Sequence, residues 1–174
     1  MASSSNDEEE FNRVPLELSA GITSSDVVQT KRPLQTGIVY DARMSLHEGP
    51  YPELSQRISI IWNYIVRAGL QKRCHVFKSR EVTRDELKVA HDEHYIDSSL
   101  NGEYKNGNGG IDEDEDIKIT RYTVNSVRLA AGALCKATYM VCAGTLVNAF
   151  AIVRPPGHHA GVSKPEGFCF FNNV

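Results

Sequence analysis

No stretch of the 174 residues approaches the ~18 consecutive apolar residues of a membrane-spanning helix, which excludes that class of membrane protein. Positive charge is not in excess either. Lysine and arginine number 19 against 22 acidic residues, for a net charge of −3. That balance excludes a strongly basic binder of nucleic acid or anionic membrane, so neither is expected as a direct partner. The four cysteines, Cys74, Cys135, Cys142 and Cys169, form no Cys-x-x-Cys pair. This argues against a structural zinc site or disulfide framework and for buried free thiols in a reducing compartment. The N-terminus, MASSSNDEEE, has no basic segment and no apolar one, and its acidic run opposes a transit peptide. Lys31-Arg32 is too short for a basic nuclear-localisation run. The expected location is nucleus, cytoplasm or both.

What is present reads as globular. Hydrophobic residues make up 41% and charged residues 24% of the chain, close to the averages of folded domains. Residues 1–35 mix Ser, Thr, Glu and Asp with scattered apolar residues and no period, which predicts a disordered leader. The folded part, 36–174, begins with Gly37-Ile38-Val39-Tyr40, a short apolar run of strand type. Gly49, Pro50 and Pro52 mark 41–54 as a loop. Ile58, Ile61, Trp62, Ile65 and Val66 recur at helical spacing over 55–68, with Gly69 placed to stop the helix. His75-Val76-Phe77 is a second strand. Thr83 and Glu86 form a Thr-x-x-Glu capping box for a helix reaching about His91, with Leu87 and Ala90 inward. Asn, Gly and Lys, then the acidic run Asp112 to Asp116, predict a loop over 101–116. A long helix over 123–142 follows, its small residues 130–133 suited to packing on a sheet, with Gly144 as its stop. Ala149-Phe150-Ala151-Ile152-Val153 is continuously apolar, which predicts a parallel strand buried on both faces. Strands alternating with helices give an α/β layered fold.

The strand 149–153 feeds Arg154-Pro155-Pro156-Gly157 and then His158-His159. Functional groups gather at the carboxyl ends of strands in open α/β sheets. One imidazole there can act as a base near neutral pH while its neighbour tunes the charge. The competing reading is a solvent-exposed His-His dipeptide. Eight residues on, Gly167-Phe168-Cys169-Phe170-Phe171-Asn172-Asn173 is either the wall of a narrow apolar channel, through Phe168, or another piece of core. His91, Asp92, Glu93 and His94 do not follow the HExxH order of a helical zinc site and read as an ordinary helix end.

Arg154-Pro155-Pro156-Gly157-His158-His159-Ala160 followed by Gly167 to Val174 resembles the zinc-dependent histone deacetylase family, class II branch, in both wording and spacing. Tyr40-Asp41-x-x-Met44, Pro52-Glu53-x-x-x-Arg57-Ile58, Val89-Ala90-His91 to Tyr95-Ile96 and Leu129-Ala130-Ala131-Gly132 extend the resemblance over about residues 36–174. It implies an arginase/deacetylase-like fold, a three-layer α/β/α sandwich around a parallel sheet. It also implies hydrolysis of acetyl-lysine amides in histones or other proteins, chromatin regulation and transcription repression, and a co-repressor or deacetylase partner. By the same resemblance His159 is the general base and then acid, and His158 its electrostatic partner. Gly167 and Phe168 line the acetyl-lysine tunnel, and Asp116 clamps the substrate backbone, against the reading of a solvated charge run. Arg57 belongs to an internal channel, against the reading of a surface arginine.

The sequence departs from the family in two places. Tyr51 stands for the His of a His-Pro-Glu-x-Pro run, and Ser55 for its second Pro, so substrate preference is open. The family's zinc ligands, in an Asp-x-Asp-x-His-His run, and its tyrosine would follow later in such a domain, and this chain assigns no residue to the metal. The expectation is therefore a truncated chain with an incomplete sheet, inactive alone, whose complete domain binds zinc. A non-catalytic interaction module, and a deacetylase of small acetylated amines such as polyamines, are the alternatives.

Overall fold

A computed structural model describes residues 35–103 and 116–174. Its centre is a three-stranded parallel sheet in the order β2-β1-β3, built from β1 (Gln35–Tyr40), β2 (His75–Phe77) and β3 (Leu146–Ile152). β1 is the middle strand: Ile38 pairs with Val76 on one side and Phe150 on the other. Parallel neighbours need crossovers, and helices supply them. These are α1 (Gln56–Arg67), α2 (Arg84–Leu87), α3 (Glu93–Leu100) and α4 (Thr123–Cys142).

Side chains alternate across β1 and β3, which sorts the core onto two faces. Ile38 and Ile152 pack with Ile58 of α1, and Tyr40 stacks on Trp62 with ring centroids 5.0 Å apart. Val39, Leu146, Ala149 and Ala151 pack with Ala133 and Ala137 of α4. α1 thus packs on one face and α4 chiefly on the other, with Leu129 and Ala130 of α4 also joining the first cluster, which is the expected three-layer α/β/α arrangement. A third cluster, Val82, Leu87, Tyr95, Ile96, Val127, Ala131, Phe170 and Phe171, ties α2, α3 and α4 to the last residues of the chain.

Local chemistry explains the ends of the elements. The capping box forms as the sequence predicts, with Glu86 N–H donating to Thr83 Oγ1 at 3.3 Å and Thr83 N–H to Glu86 Oε2 at 2.8 Å. Gly69 and Gly144 follow α1 and α4 with φ of 69° and 70°, the left-handed region that favours glycine after a helix. The long helix has the predicted bounds, but its small residues serve two partners. Ala133 meets the sheet, whereas Gly132 admits the backbone of the 80–82 segment, where a Cβ would stand 2.5 Å from Val82 N. Val82 N–H donates to Arg128 O at 2.9 Å in the same crossing.

Several expectations are corrected. The strand expected at 37–40 begins at Gln35; positions 1–34 of the expected leader, and residues 104–115 of the loop expected over 101–116, with Asp112 to Glu115, lie outside the described residues. The last strand spans Leu146–Ile152 and is not buried on both faces. Val147 is 55% and Phe150 52% exposed. β3 is an outer strand, and α1 reaches only its carboxyl end near Ile152, leaving Phe150 uncovered on that face. The helix expected to reach His91 stops at Leu87. The N–H of His91 turns back to Leu87 O at 2.9 Å, and Asp92, in extended conformation, opens α3. Of the cysteines only Cys169 is fully buried; Cys142, on the last turn of α4, is exposed.

Candidate functional site

β3 delivers the chain into the Arg154-to-His159 loop, and the loop is anchored before it carries chemistry. Arg154 is 1% exposed. Its Nε donates to Glu53 Oε1 at 2.9 Å and its Nη2 to Glu53 O at 2.9 Å. Its Nη1 donates to Met44 O at 3.2 Å and to His47 O. Burial pulls the guanidinium below its ordinary pKa, and Glu53 opposes that pull. Glu53 is itself 3% exposed, and its second oxygen accepts from Arg57 Nη1. A charge taken out of water needs this number of partners. The loop 41–54 is therefore wrapped around the arginine that ends β3.

His47 occupies the same interior. It is 2% exposed, within 3.0 Å of Thr123 Oγ1 through Nδ1, and edge-on to Phe170. Burial first, then the charges of Arg154 and Lys118, push its pKa down to about 4, so the ring is neutral. Thr123 Oγ1 also accepts the N–H of Thr120 at 2.8 Å, closing the entry to α4.

Beyond this anchor, His158 and His159 are exposed, with ring centroids 4.3 Å apart. Three features hold them. Gly157 lies so close to Asn173 and Phe171 that a Cβ would stand 2.5 Å from Asn173 Cγ. Gly167 lies against the His159 ring, where a Cβ would be 3.3 Å from Cδ2. Cys169 is fully buried; burial pushes its thiol up, against the pull of the His159 and Ala160 backbone N–H groups. The return limb is a tight turn. Glu166 and Cys169 exchange backbone hydrogen bonds of 3.0 and 2.9 Å, and the two residues between them, Gly167 and Phe168, have φ of 52° and 66°. Both central residues of this turn are left-handed, the primed type that suits a hairpin. A phenylalanine there is strained, since its Cβ crowds the following carbonyl. Strain of this kind is held in place by surrounding structure and gathers at working sites.

The structure thus brings His158, His159, Gly167 and Phe168 into one loop. Arg57 stands on the first turn of α1, its side chain 57% exposed, and reaches the loop only through Glu53. Asp116 is exposed, seven residues ahead of α4. Sequence reading missed Glu53, Arg154, His47 and His91 as builders of the site. No local signal marks them, because their partners are distant in the sequence: Arg154 and Glu53 are 101 residues apart. Among the described residues no group of three or more His, Cys, Asp or Glu side chains is placed to hold a metal ion. No helix of the described residues is long and apolar enough to cross a membrane.

Comparison with known proteins gives consistent results. The model of the histone deacetylase domain matches residues 51–174. Histone deacetylase 7 of Homo sapiens is 32% identical over 182 residues, covering 88% of this chain and 19% of that protein. Histone deacetylase 9 of Homo sapiens is 33% identical over 175 residues, covering 82% and 17%. The crystal structure of the HD domain of HDA15 superposes with a TM-score of 0.71 at 32% identity, over 80% of this chain and 41% of that one. The chain spans about a fifth of the length of the curated relatives and less than half of the solved structure.

Proposed function

Because the chain belongs to the histone deacetylase family, we propose that its residues 36–174 form the N-terminal portion of a class II deacetylase domain that hydrolyses acetyl-lysine in histones or other proteins. The observation that carries this is the His158–His159 pair, 4.3 Å apart at the carboxyl end of a parallel strand and backed by a glycine. In this reading His159 takes a proton from the attacking water as its oxygen adds to the amide carbon. It returns that proton to the lysine ε-nitrogen as the C–N bond breaks, leaving acetic acid and the free amine, which exchange a proton to become acetate and the lysine ammonium. His158 tunes the charge of its neighbour. Gly167 and Phe168 line the passage for the acetyl-lysine side chain, Asp116 holds the substrate backbone, and Arg57 borders an internal channel.

The family depends on zinc, but the described residues offer the ion no set of three ligands, and a catalytic zinc needs that many. The 174-residue chain is accordingly proposed to be inactive by itself and to need the remainder of a deacetylase domain. The Arg154-Pro155-Pro156-Gly157-His158-His159 wording favours protein lysine over small acetylated amines. A nuclear or cytoplasmic location, a role in transcription repression and a co-repressor partner follow from the same reading.

Two measurements test it. The chain alone, given zinc and an acetyl-lysine peptide, is expected to show no turnover; robust turnover lost in His159→Ala would overturn its proposed inactivity. A chimera carrying residues 36–174 in place of the matching segment of a solved deacetylase domain is expected to deacetylate the peptide and to lose that activity in His159→Ala. A folded but inactive chimera would count against the catalytic assignment.

A further inference from the structure

His91 lies 71 and 81 residues from its two hydrogen-bonding partners, Val162 and Asn172. Those two residues sit on opposite limbs of the loop that carries His158 and His159. Asn172 N–H donates to His91 Nε2 at 2.8 Å. A backbone N–H can only donate, so Nε2 must carry a lone pair and no proton. Nδ1 lies 3.2 Å from Val162 O, which can only accept, so Nδ1 must carry the proton. The two backbone groups together specify a neutral ring with a single tautomer. An imidazolium would set an N–H against the Asn172 N–H and lose one limb.

The surroundings fit that state. His91 is 4% exposed and packs on Tyr95 and Phe171, with ring centroids 5.3 and 5.5 Å away. Burial is the largest influence on its pKa and drives it down; the carbonyls of Val162 and Gly161 and the charge of Asp92 pull the other way. Neighbouring bonds reinforce the clamp. Asp92 N–H also donates to Val162 O, at 3.1 Å, and Asn172 Nδ2 donates to Ala160 O at 3.4 Å. One residue beyond Asn172, Asn173 packs against Gly157, the residue immediately before His158.

We propose that His91 is a positioning residue for the His158–His159 pair, a neutral Nδ1–H imidazole that fixes the outgoing limb at Val162 and the returning limb at Asn172 in one geometry. The clamp itself is independent of the proposed chemistry; its value for catalysis rests on reading His158 and His159 as the acid–base pair.

The test is nitrogen-detected imidazole NMR on the 174-residue chain. The wild type is expected to show His91 as the Nδ1–H tautomer at pH 7, the minority form for a free histidine. An Nε2–H tautomer or an imidazolium would overturn the proposal without any variant. His91→Phe keeps the ring packing and removes both hydrogen bonds. It is expected to speed exchange of the Asn172 amide about tenfold, the effect of one lost hydrogen bond, and to shift the ring signals of both His158 and His159. Ile96, in the core cluster, is expected to keep its amide protection. Unchanged His158 and His159 signals in a folded His91→Phe chain would refute the positioning role. His91→Gln, which restores a donor and an acceptor, is expected to recover part of the Asn172 protection. None of these readouts depends on deacetylase turnover, so an inactive chimera leaves the clamp standing and a failed clamp leaves the acid–base assignment standing.

Discussion

Replacing Arg154 by leucine removes the four hydrogen bonds that the guanidinium makes to Glu53, Met44 and His47. The loss is not limited to those bonds. Glu53, 3% exposed, stays behind as a buried carboxylate. Breaking a buried pair from one side typically costs about 3–5 kcal/mol, because the remaining charge is uncompensated. Arg57 still holds the second oxygen of Glu53, but its side chain is 57% exposed and screened by solvent. The lower end, about 3 kcal/mol, is therefore expected for Arg154→Leu. A domain has only ~5–15 kcal/mol in total. Glu53→Gln keeps an acceptor for Arg154 Nε but strips the buried guanidinium of its counter-charge, so a cost of similar size, about 3–5 kcal/mol, is expected. The assay is urea unfolding followed by the fluorescence of Trp62, the only tryptophan, which stacks on Tyr40 at the end of β1. With slopes of ~1–3 kcal/mol/M, the Arg154→Leu midpoint should fall by about 1–3 M. A fall well under 1 M in both variants would refute the reasoning, since the uncompensated charge would then carry no penalty.

Three further outcomes follow from the same structure. Gly167→Ala places a Cβ on a left-handed residue, 3.3 Å from the His159 ring; it should lower stability by about 1–2 kcal/mol and shift the His159 ring signals, and a silent substitution would refute the close approach. Gly132→Ala drives a methyl group into the backbone of the 80–82 segment and should cost about 1–3 kcal/mol as overpacking, measured by thermal unfolding. Acid should weaken the fold in two windows. His47 titrates near 6.5 when unfolded and about 4 when folded, so the unfolded state binds the extra proton and stability falls as pH drops from about 6.5 through 4, by up to roughly 3 kcal/mol. His47→Phe should reduce that slope, leaving the part that the buried His91 contributes. Glu86, held by Arg80 first and then by Thr83 at about 2 against 4.5, loses its contribution as pH falls from about 4.5 through 2, so an acid curve without a second step below pH 4.5 would argue against its pairing.

Local chemistry was legible wherever its partners are near in sequence. The Thr83–Glu86 capping box, the glycines after α1 and α4 and the bounds of α4 depend on residues within a turn or two. What stayed hidden depends on distant partners. Arg154 and Glu53 are 101 residues apart, and nothing in the local sequence says that they meet. His91 reads as a helix end because its hydrogen-bonding partners lie in another loop. The apolar run around Phe150 correctly indicates a strand, but its exposure depends on how far α1 reaches across the sheet, which no property of the run encodes. The His158–His159 loop was visible as wording; the strained turn at Gly167 and Phe168 that backs His159 was not.

The strand order has a consequence for biosynthesis. β1 is the middle strand, yet one of its neighbours, β3, begins at Leu146, well after β2 ends at Phe77. At ~5–20 residues per second of translation, the interval between those positions lasts roughly 3–14 s. Throughout it the nascent chain carries Ile38 and Val39 beside an unfilled sheet edge. Such long-range parallel pairing is also intrinsically slow. The pairing of β1 with β3 must therefore wait for the chain between them to be made, and the yield in cells should depend on translation speed between β2 and β3.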